Sequence, residues 1–191
     1  MRMLFLSAVL FFVAGAAQAA TLNVVGGQLM GASNVLVEGN LYDVQFLDGN
    51  CFDLYNGCGS GALTGVFPFN VSTVGSDADN AEAIRILNAV SQALLDQVFL
   101  DGVEGLFGSD PSLTNGCALS GFCRAATPYD NFTTDQVVDY VFAVNYGASR
   151  PDNVDDVGFD KVFIGDSFGD LAGVTWAVWT PVPVPEPSIG P

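Results

Sequence analysis

The stretch Asp79–Leu100, which reads DNAEAIRILNAVSQALLDQVFL, determines the architecture expected for this chain. Its apolar residues recur at helical spacing and include Ala83, Leu87, Val90, Leu94 and Val98. This period predicts an amphipathic helix of about 30 Å that starts at a capping-box-like Asp79 and Glu82 and can end at Gly102. Because this helix lacks the many lysines and arginines of a membrane-surface helix, we expect it to pack on a sheet of the same domain.

Shorter segments on both sides of this helix have the pattern of β-strands. Within Leu41–Asp48, the apolar residues Tyr42, Val44 and Phe46 alternate with polar ones, and Glu38-Gly39-Asn40 is a plausible turn before them. Further strands are predicted at Thr21–Val25, Val35–Val37, Val137–Tyr146, Phe159–Ile164 and Val174–Thr180. The segment from Gly102 to Asp130 is expected to be rich in loops. The prediction is therefore a strand-rich α+β fold, a single domain with one long amphipathic helix packed on a mainly antiparallel sheet.

The N-terminus has the parts of an export signal. Met1–Met3 carries one positive charge, Leu4–Val13 is almost entirely apolar, and Ala17-Gln18-Ala19 fits the small-x-small pattern of signal peptidase. The apolar run is too short to span about 30 Å of hydrocarbon. Residues 1–19 are therefore predicted to be a signal peptide cleaved after Ala19, and residues 20–180 to be the globular domain of a secreted or cell-surface protein.

The charge balance excludes some classes of partner. The chain has 21 acidic and 5 basic residues, for a net charge of −16. Nucleic acid and anionic membrane surfaces would repel such a protein. Calcium or cationic partners fit better, although solubility alone also accounts for a strong net charge.

All four cysteines follow the export signal, where disulfides are expected. The local pairs Cys51–Cys58 and Cys117–Cys123 are predicted because each brackets a loop that contains glycine. Closing a loop of about eight residues is worth roughly 2.5 kcal/mol in the chain-entropy model. A four-cysteine zinc site is the alternative, but six and five intervening residues are more than structural zinc sites usually have.

The chain lacks the residues that most catalytic mechanisms require. The chain has no histidine, which excludes Ser-His-Asp and Cys-His catalysis and histidine-bound zinc. No glycine-rich phosphate loop with its lysine is present. Paired carboxylates could still hydrolyse glycosides, but no motif selects a pair. We therefore predict no catalytic residue and no enzyme activity.

A loop-like stretch around Gly158 offers candidate calcium ligands, with no other cofactor expected. The candidates are Asp152, Asp155, Asp156 and Asp160, and the glycine-preceded Asp166 and Asp170 follow them. Calcium prefers several oxygen ligands on flexible loops. The alternative is that these aspartates stabilise turns through hydrogen bonds to their own backbone.

The C-terminal segment 181–191 contains five prolines and is predicted to be an extended polyproline spacer. Within it, Val184-Pro185-Glu186-Pro187-Ser188 resembles the start of a PEP-CTERM sorting signal, the tail that exosortase recognises on many exported bacterial proteins. In that family a hydrophobic span and a basic cluster follow the box. The sequence ends at Pro191 before either, so we expect it to be truncated. The body is similar to the globular part of uncharacterised members of that family.

Three functional hypotheses remain. The first is a non-enzymatic exported protein, with signal peptidase and exosortase as processing partners. The resemblance alone implies its association with extracellular matrix polysaccharide. The alternative is a calcium- or carbohydrate-binding module that uses exposed Trp176, Trp179 or tyrosines as a platform. The third is a carboxylate-based glycoside hydrolase.

Overall fold

The computed structural model describes residues 19–55, 68–69, 77–100, 106–132, 137–148, 155–163, 168 and 171–183. The strands are β1 Thr21–Val25, β2 Gln28–Val37, β3 Asn40–Leu47, β4 Phe122–Phe132, β5 Val137–Tyr146, β6 Asp156–Phe163 and β7 Val174–Pro181. The helices are α1 Cys51–Leu54, α2 Asp77–Gln97 and α3 Leu106–Ser109, and a 3-10 turn covers Pro111–Leu113. A strand-rich fold with one long helix is confirmed.

The strands form one sheet in the order β1-β2-β3-β7-β4-β5-β6. All neighbours are antiparallel except β4 and β7, which are parallel and pair only through Arg124–Ala126 and Val174–Trp176. The last strand thus lies between the first three strands and the other three. The mainly antiparallel sheet that the sequence predicted is confirmed.

Helix α2 covers one face of this sheet, against β2, β4, β5 and β6. The apolar stripe predicted from the sequence is its buried face, formed by Ala83, Leu87, Val90, Leu94 and Val98. From Leu87 onwards, the stripe belongs to the same buried cluster as Val44 and Phe46 of β3, whose alternation is also confirmed. Gln97 fixes the end of the helix, because its side chain accepts from Leu36 N at 2.9 Å and donates to Leu36 O at 2.8 Å.

The opposite face of the sheet carries a smaller, aromatic core. Trp176 is fully buried and stacks on Phe168 with ring centroids 4.2 Å apart. Tyr55 and Tyr140 meet the Trp176 ring edge-on, each with centroids 5.9 Å apart. The polar tips of two of these rings bond to the backbone: Tyr55 Oη donates to Ala177 O, and Trp176 Nε1 donates to Gly49 O.

Strand β4 begins at Phe122, within the segment from Gly102 to Asp130 that is predicted to be rich in loops. That prediction is wrong from Phe122 onwards. The strand is central, yet Cys123, Ala125, Ala126 and Pro128 give it little β-propensity. Proline is tolerated because the ladder between β4 and β7 has already ended at Ala126. Arg124 N donates to Gly173 O, so the N–H of Arg124 points toward β7. Backbone N–H groups two residues apart point to the same side of a strand, so the position of Pro128, which has no N–H, also faces the β7 side. The ladder with β7 has ended there, so no hydrogen bond is lost.

Two other strands are longer than predicted. Strand β2 begins at Gln28 instead of Val35, and β6 begins at Asp156 instead of Phe159. Asp156 and Asp160 therefore lie in β6, so the prediction that they belong to a loop-like stretch is wrong. Gly158 lies opposite Phe142 in the ladder, and a Cβ at this position would come 2.3 Å from Phe142 Cζ. This glycine therefore makes room for an aromatic ring of the next strand.

Candidate functional site

A pocket of about 390 Å³ lies beside the turn between β2 and β3, and we call it the Tyr42 pocket. Its walls come from the end of β2, the start of β3, the first half of α2 and the pair Pro68–Phe69. The lining residues are Val37, Glu38, Asn40, Tyr42, Pro68, Phe69, Arg85 and Ile86. Its volume lies within the range of about 300–1,000 Å³ that ligand pockets usually have.

The aromatic wall of the pocket is the outer part of a cluster rooted in the core. Trp179 is buried, and Phe69 meets it edge-on with centroids 5.6 Å apart. Tyr42 lies 4.9 Å from Phe69 and 6.1 Å from Trp179, again between ring centroids. Tyr42 is half-buried, so its ring is held by two aromatic neighbours while part of it borders the pocket.

The turn between β2 and β3 brings polar groups to the mouth of the pocket. Glu38 and Gly39 have φ values of 49° and 82°, as the two central residues of a type I′ hairpin require, so the turn predicted there is confirmed. The Asn40 side chain donates to Glu38 O at 3.4 Å. This turn places the carboxylate of Glu38 opposite helix α2.

Arg85 links the turn to the helix through two carboxylates. Its Nη1 lies 2.6 Å from Glu38 Oε2, and its Nε and Nη2 bond to both oxygens of Glu82 at 2.9 and 2.8 Å. The hydrogen bonds from Arg85 lower the pKa of Glu82 below its usual 4.5. The rim therefore carries one cation and two anions, with a net negative charge.

A second, smaller pocket of about 220 Å³ lies at the other end of α2. It is lined largely by apolar residues, which include Ala20, Leu22, Val98, Leu100 and Phe107. This volume is below the usual range for ligand pockets, and fewer polar groups converge on it. The Tyr42 pocket is the better candidate for a binding site.

The predicted calcium ligands do not meet within the described part of the chain. Asp152, Asp166 and Asp170 lie outside the described residues. Asp155 Oδ1 accepts from Tyr146 N, while Asp156 and Asp160 accept from the backbone N–H of the residue that follows each. Among the described residues, no three carboxylates or cysteines are grouped to hold a metal ion. Calcium binding stays a prediction.

The exposed tryptophan platform is wrong. Trp176 is fully buried and Trp179 is 4% exposed, because β7 lies in the middle of the sheet and both of its faces are covered. Trp179 Nε1 donates to Thr127 Oγ1, which satisfies its polar atom inside the core. Of the aromatic residues proposed as a platform, the tyrosines remain, and Tyr42 lines a pocket of ligand size.

One predicted disulfide is present. Cys117 and Cys123 are bonded, with Cα atoms 5.7 Å apart. The pair Cys51–Cys58 stays a prediction, because Cys58 lies outside the described residues. The predicted signal peptide up to residue 18 and the predicted sorting box Val184–Ser188 also lie outside them. The disulfide is compatible with an oxidising compartment.

Sequence reasoning missed Glu38, Asn40 and Arg85 as site residues. Each is a common surface residue, and the pocket arises only when the hairpin turn meets α2. The apolar stripe predicts that α2 packs on the sheet. It does not predict which strands α2 contacts, so it did not indicate that α2 would meet the turn between β2 and β3.

No protein-family model, curated protein or solved structure matches this chain. Within the described residues, no helix is both long and apolar enough to cross a membrane.

Proposed function

We propose that this chain is an exported, non-enzymatic protein that binds extracellular polysaccharide through the Tyr42 pocket. The observation that carries the proposal is the pairing of a fixed aromatic wall with convergent polar groups in a pocket of about 390 Å³. Pockets that combine these two features are the usual form of a small-molecule site.

The chemistry of the lining suits a sugar. The C–H groups on one face of a pyranose ring can contact the Tyr42 ring, whose position two aromatic neighbours already fix. The hydroxyl groups of a sugar can donate to Glu38 and accept from Asn40 or Arg85. Because Arg85 is already bonded to two carboxylates, no positive charge is free among the described residues of the rim to attract an anion. A neutral sugar residue is thus the expected ligand.

The same geometry favours binding over hydrolysis. A glycosidase needs one carboxylic acid with a raised pKa as the proton donor. The pocket has the opposite arrangement, since Arg85 holds the pKa of Glu82 below its usual value and forms an ion pair with Glu38. Both carboxylates act as anionic partners of Arg85.

Export completes the proposal. The predicted signal peptide ends at Ala19, immediately before a fold whose first strand begins at Thr21. The last strand ends at Pro181, where the proline-rich segment with the sorting-box resemblance begins. Signal peptidase and exosortase are the proposed processing partners, and the extracellular surface is the proposed location.

The test is a glycan-array screen of the secreted protein, followed by calorimetric titration of the oligosaccharides that bind. Tyr42→Ala removes the aromatic wall and should weaken binding at least tenfold, which is about 1.4 kcal/mol. Tyr146→Ala is the matched control, because Tyr146 is also a half-buried strand tyrosine but does not line the pocket. It should bind like the native protein.

Two results would overturn the proposal. One is an array without selective binding by the correctly folded native protein. The other is equal loss of affinity in Tyr42→Ala and Tyr146→Ala, because that outcome would place the binding surface elsewhere.

A further inference from the structure

The face of the sheet opposite α2 carries a cation that has no carboxylate partner among the described residues. Arg124 lies on β4, and within the described part of the chain its buried Nε has no hydrogen-bond partner. In the part of the chain that the structure describes, no ion pair involves Arg124. The other described cations differ: Arg85 bonds to two carboxylates, and Lys161 lies 3.6 Å from Asp139 Oδ1. Among the three described cations of this acidic chain, Arg124 therefore differs from the other two.

Two aromatic rings hold the guanidinium of Arg124 in place. Its Cζ lies 4.9 Å from the ring centroid of Phe142 and 5.8 Å from that of Phe122. These distances are within the range of cation–π contacts, which extends to about 6 Å. Stacking engages the faces of a guanidinium, whereas the donors that bind a carboxylate in a bidentate manner lie along its edge.

Each of these two rings packs directly against a glycine. A Cβ at Gly158 would come 2.3 Å from the Phe142 ring, and a Cβ at Gly173 would come 2.7 Å from the Phe122 ring. The rings thus rest directly on the neighbouring backbone, which restricts their movement. The guanidinium is held by rigid neighbours, and a preorganised donor loses less entropy when it binds a ligand.

Apolar surface lies next to this cation. Leu119 is 40% exposed, and its Cδ1 lies together with the Phe122 ring above Gly173. We call the four residues Leu119, Phe122, Arg124 and Phe142 the Arg124 cluster. A cation beside apolar side chains is complementary to a molecule with one anionic group and an apolar body.

Two acids near the cluster form hydrogen bonds to groups other than Arg124. Asp156 lies in the same row across the sheet, since Arg124 pairs with Val144 and Val144 pairs with Asp156. The Asp156 carboxylate accepts from the N–H of Val157 instead. Asp160, on the same strand, accepts from the N–H of Lys161.

We propose that the Arg124 cluster is a second binding site, specific for a monocarboxylate with an apolar body. The Arg124 guanidinium would accept the carboxylate in a bidentate pair, and the Phe122 ring and Leu119 would contact the apolar part. The net charge of −16 disfavours polyanions and therefore favours a ligand with a single carboxylate. This site lies on the other face of the sheet from the Tyr42 pocket and does not depend on it.

The test titrates the oxidised native protein with sodium phenylacetate and, separately, with phenylacetamide, and follows amide chemical shifts by NMR. The two probes share their apolar part and differ in the charge. We expect phenylacetate to bind at least tenfold more tightly, with the largest shifts around β4 and the Cys117–Cys123 loop. Arg124→Gln should remove this preference.

Two further variants keep the test decisive. Arg124→Lys retains the charge but not the planar donor edge, and should bind phenylacetate less tightly than the native protein even if Arg124→Gln does not fold. Lys161→Gln removes a positive charge from the same sheet outside the cluster and should bind like the native protein. The proposal is overturned if the native protein does not bind phenylacetate, if acid and amide bind equally, or if Arg124→Lys binds like the native protein.

Discussion

The two faces of the sheet achieve burial in different ways. On the face under α2, aliphatic residues dominate, with Leu87, Val90 and Leu94 of the helix completely buried against the strands. On the other face, the described core consists of Trp176, Phe168 and two tyrosines together with small residues. The helix supplies a continuous apolar stripe, so the first face needs no special geometry. The second face depends on a few large rings in fixed orientations.

The two faces also treat arginine differently. On the helix face, Arg85 is bonded to two carboxylates and is more than half exposed, so it acts as part of a polar rim. On the aromatic face, Arg124 stacks on phenyl rings without forming an ion pair in the described part of the chain. The helix face therefore offers a pocket whose arginine is paired with carboxylates, and the aromatic face offers a single cation without such a pair in the described part of the chain.

The largest expected effect concerns the aromatic face. Trp176→Ala should lower the free energy of unfolding by about 3–5 kcal/mol, because it removes a buried ring that stacks on Phe168 and leaves a cavity. Trp176→Phe is the milder comparison, since it retains a ring but loses the bond from Nε1 to Gly49 O, worth about 1 kcal/mol. Chemical denaturation of the oxidised protein measures both values.

A loss below about 1 kcal/mol in Trp176→Ala would contradict this picture, because fully buried tryptophans normally contribute several times more. It would mean that the aliphatic face alone holds the sheet. Leu94→Ala provides the reference for that face, with an expected loss of about 2–5 kcal/mol.

A second, intermediate effect is expected at Gly158. Gly158→Ala should destabilise the protein by about 1–3 kcal/mol, because the new methyl group collides with the Phe142 ring. Phe142→Leu provides space, so the double variant Gly158→Ala/Phe142→Leu should be more stable than the sum of the two single losses predicts. A strictly additive result in this double-mutant cycle would show that the glycine is not needed for the ring.

The sequence predicted the helix face better than the aromatic face, and the reason is physical. The stripe from Ala83 to Val98 is a periodic signal within one segment, so it specified both the helix and its buried side. Strand β4 has no such signal, because its alanines and Pro128 are acceptable only beside β5 and beyond the end of the β7 ladder. Its position in the sheet depends on partners distant in sequence.

The candidate sites were less predictable than the fold. The Tyr42 pocket joins a hairpin turn to a helix 47 residues further along the chain, the separation between Glu38 and Arg85. Neither residue belongs to a motif, so composition and spacing gave no reason to select them. The tryptophans were selected by residue type, and their position on the central strand β7 shows why type alone is insufficient.

The smallest expected effect is the pH dependence of the stability that Arg85 contributes, compared with that of Arg124. Glu82 has a pKa below 4.5 in the folded protein because Arg85 bonds to it, so the unfolded chain binds the proton more readily. Its contribution to stability is therefore present above pH 4.5 and is lost as the pH falls through the lower, folded pKa. The difference in stability between native protein and Arg85→Gln should accordingly shrink as the pH is lowered from 6 to 3. The effect should be small, since both side chains are more than half exposed.

Arg124→Gln is the matched control for this pH experiment, because Arg124 forms no ion pair within the described residues. Its difference in stability from the native protein should stay nearly constant over the same pH range, whatever its absolute size. Melting temperatures at each pH measure both differences. Parallel pH dependence in the two variants would show that Arg124 does interact with a carboxylate. That result would remove the distinction between the paired arginine at the rim of the Tyr42 pocket and the single cation of the Arg124 cluster.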